Sequence, residues 1–193
     1  NADGFKKSIS APGPGNYLTM AKAVASATQI LGAEAVRTRS FVHAHGSSTP
    51  ANRITESAML DRVAAAFDIK RWPVAAVKAD LGHSLGPASG DQLVAALGSF
   101  HYGIIPGIKT IDAVADDVHQ QHLQISVTDI DKRSTGLDVA FVNSKGFGGN
   151  NATAVVLSPT IVERMLTIRY GAQTMAAYQQ RKQTVHARSE AYN

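Results

Sequence analysis

Apolar residues recur along this chain in two alternating rhythms. Over residues 17–31, Met20, Val24, Ala27 and Leu31 fall at steps of three and four, the spacing of one helix face, with Asn16 as the expected cap and Gly32 as the terminator. Residues 39–45 are short and β-compatible and run into the small hydroxylic turn Gly46-Ser47-Ser48-Thr49-Pro50. A second helix is predicted over residues 53–67, with Leu60, Val63, Ala64 and Phe67 on one face. A strand over residues 74–77 follows, then a glycine-rich loop at 82–87, then a third helix whose apolar stripe is Leu93, Val94, Leu97 and Phe100. Further strands are predicted at 123–128, 138–142 and 152–157, the last two flanking the loop 143–151. Residues 161–181 return to the helical period through Val162, Met165, Leu166 and Met175, and the polar residues after them are expected to fray.

Helix, strand, helix, strand, helix is the order of a layered α/β domain, whose functional groups sit on the loops at strand ends. Residues 1–160 read as that domain, and 161–193 as a helical extension with a polar tail. The opening stretch with Pro12, Gly13, Pro14 and Gly15 reads as a loop.

Composition changes this picture little. With 193 residues, 44% of them hydrophobic and 18% charged, the chain has ordinary globular composition. It has no run of eighteen apolar residues and no signal-peptide pattern, so no membrane association is expected and a cytoplasmic location is the default. It begins with Asn1 rather than methionine, as a fragment or a processed piece would. The net charge is +4; residues 161–193 carry five basic against two acidic residues, or +3 of it. Without interleaved aromatics this reads as a solvated helix face, and no nucleic-acid partner is expected. The absence of cysteine removes disulfides, thiolate metal sites and a cysteine nucleophile from this chain.

Three loops concentrate small residues around a reactive or bulky side chain: His45 after the first strand, Lys78 and His83 after the second, and Phe147 between the last two. Any one of them alone is a weak signal, because a lone histidine is more often structural and glycine-rich loops turn the chain in many folds. Together and in order they are specific. Ala44-His45-Gly46-Ser47-Ser48-Thr49-Pro50, then Lys78 five residues before His83, then Asn143-Ser144-Lys145-Gly146-Phe147-Gly148-Gly149 resemble the C-terminal half of the β-ketoacyl-[acyl carrier protein] synthases over roughly residues 10–158. The family patterns are A-H-G-[TS]-[SG]-T-P, K-x-x-x-G-H-x-x-G-x-[AS]-[SA]-G and N-S-F-G-F-G-G.

The resemblance implies the thiolase-like layered α/β/α/β/α fold, of which this chain is the C-terminal half, a mixed sheet with flanking helices. It implies decarboxylative condensation of malonyl thioester with an acyl group held on cysteine, in fatty-acid or polyketide synthesis. His45 and His83 would donate to the thioester oxygen as CO2 leaves. Lys78 would set the local electrostatics with Glu56 as its counter-ion, Ser47 and Thr49 would hold the phosphopantetheine arm, and Phe147 would complete the oxyanion hole and gate the acyl pocket. For Thr49, capping of the following helix is the competing explanation. No cofactor and no metal are implied, since the substrates ride on acyl carrier protein or on coenzyme A. The implied partners are acyl carrier protein, the N-terminal half of the same synthase with its cysteine, and a second copy in a homodimer. An unpaired sheet face exposed by a lone half would make a stable monomer unexpected.

Lys145 departs from the pattern, which has phenylalanine there, and leaves the gate and the chain-length preference open. His43, His101, His119, His122 and His186 match no motif and read as structural. Three other readings compete. A nucleophile-lacking partner subunit of chain-length-factor type has no physical need for both histidines and Lys78. A metal-dependent hydrolase using His43, His45 and His83 lacks a convergent carboxylate cluster. Phosphate binding by the glycines at 146–149 lacks a following Lys-Ser/Thr and a helix to receive the anion.

Overall fold

The computed structural model describes Asp3, residues 11–47 and residues 49–192. Ser10 of the opening loop and Ser48 of the first motif lie outside the described residues. The chain divides into two compact units, Asn1–Ser158 and Pro159–Asn193.

In the first unit the chain order is α1 (Pro14–Leu31), α2 (Ala33–Arg39), β1 (Ser40–His43), α3 (Pro50–Ala66), β2 (Trp72–Ala75), α4 (Lys78–Leu81), α5 (Ala88–Tyr102), β3 (Ile104–Ile105), β4 (Leu123–Ile125), β5 (Ile130–Asp131), β6 (Val139–Gly146) and β7 (Asn150–Leu157). The main sheet has the order β4-β2-β1-β6-β7. Its first three pairings are parallel, and the β6–β7 pairing is antiparallel. β3 and β5 form a separate antiparallel pair.

The two faces of the sheet follow the period-two rule. Val42, Val74, Val139 and Phe141 face α1 and α3, where they pack with Met20, Val24, Leu60 and Val63. Phe41, Ala75 and Ala140 face the other way, toward Ala96 and Phe100 of α5. This is an α/β/α stack with a mixed sheet, and both of its faces are covered. The unpaired sheet face expected from the sequence is therefore absent among the described residues.

What lies open instead is the outer side of α5. Of the predicted apolar stripe Leu93, Val94, Leu97 and Phe100, the first three are 41%, 70% and 48% exposed and only Phe100 packs toward the sheet, while Ala88, Gln92, Ala96 and Ser99 are buried. The helical period holds, but apart from Phe100 the apolar stripe is not the buried face. Small side chains let α5 lie close on β1 and β6, and the larger ones are left on the side away from the sheet.

Several boundaries also differ from the sequence expectation. α1 starts at Pro14 with Gly13 as its cap, so Asn16 lies inside the helix. Proline at the first helical position has its φ already set and no N–H to leave orphaned. Arg39 ends α2, a helix the apolar pattern does not show, and β1 stops at His43, which leaves His45 on the following loop. β2 begins two residues earlier than predicted, at Trp72. The loop 143–151 is almost all strand: β6 and β7 pair up to Gly146↔Asn150, and only a tight turn at Phe147–Gly149 remains.

The second unit holds α6 (Pro159–Tyr170) and α7 (Ala172–Tyr192), separated at Gly171, whose φ of +83° suits glycine. The single helix expected over 161–181 is thus two, and the second continues through Tyr192 instead of fraying. Glu163 accepts from Gln179 at 2.9 Å and lies 3.9 Å from Lys182, which ties the two helices together.

Ala96, fully buried between α5 and the sheet, is the position that tests this packing. Ala96→Leu is expected to destabilise the protein by about 1–3 kcal/mol through overpacking, read as a lower urea midpoint with unchanged slope.

Candidate active site

The site is assembled where β1 and β6, side by side and parallel, reach their C-terminal ends beside the start of α3. At its centre is the carboxylate of Glu56, on α3 and buried. Oε1 accepts from the His45 N–H at 2.7 Å and from Asn143 Nδ2 at 2.7 Å. Oε2 accepts from the Gly46 N–H at 2.9 Å and from Asn52 Nδ2 at 2.9 Å. A carboxylate offers about four acceptor sites, and here donors from the β1 loop, β6 and α3 itself fill them. Burial alone would push the Glu56 pKa up. The Gly46 hydrogen bond, the charge of Lys145 and the amides of Asn52 and Asn143 outweigh burial and hold the pKa below the usual carboxylate value.

His45 is buried, and its Nδ1 accepts the backbone N–H of Lys145 at 3.3 Å. An imidazole that accepts at Nδ1 carries its proton at Nε2, and among the described residues Nε2 has no partner. Burial lowers the His45 pKa to about 4; Glu56 opposes this, and Lys78, Lys145 and His83 add to it. His83 repeats the arrangement at an exposed position, its Nδ1 accepting from the Leu85 N–H at 3.1 Å. The two rings meet edge-on, with centroids 5.5 Å apart and planes at 81°. Two rings with Nδ1 taken by a main-chain N–H thus lie next to each other.

Lys78, at the start of α4, donates its Nζ to the carbonyl oxygen of His45. Glu56 reaches it only as a field: burial lowers the lysine pKa, and the charges of Glu56 and Asp91 oppose that. Thr49 is the cap of α3, its Oγ1 accepting from the Asn52 N–H at 3.3 Å, and Ser47 Oγ lies 3.4 Å from it. Phe147 stands apart at the tip of the β6–β7 turn, 83% exposed. The structure therefore gathers His45, His83, Lys78, Glu56, Ser47 and Thr49 around one loop and leaves Phe147 on a separate projection.

Three buried residues are absent from the sequence-derived set. Asn143 and Asn52 are the amides on Glu56. Gln92 of α5 donates from Nε2 to the carbonyls of Ala44 at 2.6 Å, of His43 at 3.3 Å and of Asn143 at 3.3 Å, and so holds the ends of β1 and β6 together. Asn143 stands in the third motif, and Asn52 and Gln92 lie seven and nine residues after His45 and His83; a polar residue on an otherwise buried face was the available signal. His43 is fully buried beside Phe41, at a ring distance of 5.4 Å, and among the described residues neither of its ring nitrogens has a partner. Its pKa is also pushed down to about 4, by burial and then by Lys78. Among the described residues no group of three metal-ligating side chains converges.

Residues 1–112 match the family described as β-ketoacyl synthase, C-terminal domain. The chain belongs to the β-ketoacyl synthase family. It is 66% identical over its full 193 residues to β-ketoacyl-[acyl-carrier-protein] synthase FabY of Pseudomonas aeruginosa, of which it covers 30%. It is 31% identical over 116 residues to 3-oxoacyl-[acyl-carrier-protein] synthase 1 of Escherichia coli, covering 60% of this chain and 27% of that one. The crystal structure of FabY from P. aeruginosa superposes with a TM-score of 0.95 at 67% identity, over all of this chain and 30% of that one. A β-ketoacyl synthase from Burkholderia phymatum, at 23% identity and a TM-score of 0.60 over 82% of this chain, shares the fold. The chain thus spans no more than about 30% of the length of the curated relatives it matches and corresponds to the C-terminal part of a β-ketoacyl synthase with the thiolase-like fold. Among the described residues no helix is long and apolar enough to cross a membrane.

Two expectations follow. Unfolded imidazoles take up a proton near pH 6.5, whereas folded His43 and His45 do so only near pH 4. Between those values the unfolded state binds more protons, so the stability contributed by the neutral rings is complete above pH 6.5 and is lost as pH falls to 4. For fully buried His43 the loss is on the order of 3 kcal/mol; urea midpoints of the intact protein from pH 7 to 4 should fall accordingly, with a shallower slope in His43→Leu. Glu56→Gln turns one acceptor oxygen into a donor facing N–H groups and should cost about 3–5 kcal/mol in the same assay.

Proposed function

We propose that this chain supplies the decarboxylation half of the condensing site of a β-ketoacyl-[acyl carrier protein] synthase. The observation that carries the reading is the matched pair of histidines, each with Nδ1 occupied by a backbone N–H and each left with a proton on Nε2. A malonyl thioester loses CO2 when the electron pair of its C–C bond moves into the thioester carbonyl, which becomes an enolate oxygen. Donors already aimed at that oxygen stabilise the developing charge without reorganising. His45 and His83 are those donors.

The depressed proton affinity of His45 keeps the ring neutral at working pH, so it presents one N–H and accepts one. Lys78 holds the His45 carbonyl and adds a positive field, which favours the enolate. The enolate carbon then attacks the acyl-cysteine thioester, forming the new C–C bond and expelling cysteine thiolate. Since this sequence has no cysteine, that residue comes from the part of the synthase outside it. Ser47 lines the approach for the phosphopantetheine arm, while Thr49 has helix capping as its visible duty. Phe147, exposed on its turn, is free to contribute to the acyl pocket of the complete enzyme. Acyl carrier protein or coenzyme A delivers the substrates, no further cofactor takes part, and the complete enzyme works as a cytoplasmic homodimer. Residues 1–160 form the catalytic portion and 161–193 an appended helical extension.

The test uses the intact synthase, with mass analysis to locate the cysteine-bearing part. His45→Ala and His83→Ala should each lower malonyl-thioester decarboxylation about 10²-fold or more with a smaller change in KM. Wild-type decarboxylation by either variant would remove that histidine from the mechanism.

A further inference from the structure

Lys145 occupies a position where the resemblance has a phenylalanine, and its side chain is buried among polar groups. Its Nζ donates to Asn52 Oδ1 at 2.9 Å, and Asn52 in turn donates to Glu56. Its backbone N–H is the donor on His45 Nδ1. Two residues earlier on the same face of β6, Asn143 donates to the other oxygen of Glu56. The end of β6 is therefore fastened to α3 at two successive inward positions, and the backbone donor that orients His45 lies at the outer one.

We infer that Lys145 is a positioning residue for the condensing site: its ammonium fastens the end of β6 to α3 through Asn52, and this keeps its own backbone N–H on His45 Nδ1 and the proton of His45 on Nε2. The inference rests on the proposed function of His45. A phenylalanine at this place offers Asn52 Oδ1 no hydrogen bond, and Asn52 is buried. In this chain the position is a strut in place of an aromatic ring, and the glycine-flanked turn begins only after it, at Gly146.

The charge acts in the same direction as the anchor. The groups acting on His45 are Glu56 on α3, Lys78 on α4, His83 on the loop after α4 and Lys145 on β6. Glu56 favours protonation of His45, whereas Lys78, Lys145 and His83 oppose it. Without the Lys145 ammonium the balance shifts toward an imidazolium, which can no longer accept the N–H at Nδ1.

Lys145→Met keeps the stem and removes the charge, Lys145→Gln keeps a donor without charge, and Lys145→Arg keeps both. In the intact synthase, Lys145→Met should lower kcat for malonyl-thioester decarboxylation about tenfold with KM little changed, and should raise the acid limb of the pH profile by about one pH unit. Lys145→Gln should raise the acid limb with a smaller loss of kcat, and Lys145→Arg should restore both. Wild-type kcat and acid limb in Lys145→Met would overturn the inference, as would equal losses in Met and Arg variants with an unmoved limb, the mark of packing alone. Peptide-resolved histidine C2-hydrogen exchange gives the His45 protonation midpoint without turnover. If the wild type does not decarboxylate malonyl thioesters yet the midpoint rises in Lys145→Met, the functional reading falls and the positioning role stands. If decarboxylation proceeds through His45 and the midpoint is the same in wild type and all three variants, the positioning role falls.

Discussion

The arrangement of the site depends on a single buried carboxylate. Glu56 has lost water on every side, and an ionised carboxylate in such a place survives only if protein donors replace the whole hydration shell. The four donors belong to three chain segments: the loop after β1, the first turns of α3 that follow it, and the outer end of β6 some ninety positions on. The carboxylate therefore does more than balance charge. It fixes the backbone at His45 and Gly46, which is the backbone that aims the His45 ring. A half-satisfied version of this network would be worse than an apolar core, because each orphaned donor keeps its desolvation cost. The segments must all be in place for any of them to be.

From that fixed backbone the chemistry of the imidazoles follows. An isolated histidine has two tautomers of similar energy, and a donor role requires one of them. Here the choice is made twice by the same means, a main-chain N–H placed on Nδ1, from a strand in one case and from a turn in the other. Backbone donors cannot be protonated or rotated away, so the preference does not depend on pH as a carboxylate partner would. The surrounding cations reinforce it. Lys78 and Lys145 face one carboxylate, and their field works against an imidazolium; in the proposed reaction the same field favours an enolate at that place. Keeping the ring neutral and stabilising the anion are then the same electrostatic act.

What was legible in the sequence divides along physical lines. The motifs around His45, Lys78, His83 and Phe147 were readable because each reactive group needs small neighbours that turn the chain sharply, and such residues stand out. Alternating strands and helices were readable because their periods are imposed by the backbone. The buried face of α5 was not, since close approach of a helix to a sheet selects alanine, serine and a bonded glutamine over the leucines that define a stripe. Gln92 was overlooked for the same reason: its role is to satisfy three carbonyls on neighbouring strand ends, and no local pattern announces partners some fifty positions away. The break at Gly171 and the continuation of α7 were hidden because a polar helix has no apolar rhythm to follow.

The position of Lys145 adds a mechanical consequence. The β6–β7 hairpin has two parts with different freedom. Up to Gly146 it is paired strand, bonded to α3 through Asn143 and Lys145 and to α5 through the Asn143 carbonyl. Beyond it the turn runs through Gly148 and Gly149, both at φ above +70°, a region that costs other residues steric strain. A donor that must stay within hydrogen-bond reach of His45 and the exposed aromatic side chain of Phe147, to which the proposed function gives the acyl pocket, make opposite demands on neighbouring residues. Separating them at Gly146 meets both, because motion of Phe147 can be taken up by glycine torsions without displacing the Lys145 N–H. A buried ammonium at 145 makes that boundary firmer than an apolar ring would, since pulling it out would strand Asn52 and Glu56 as well.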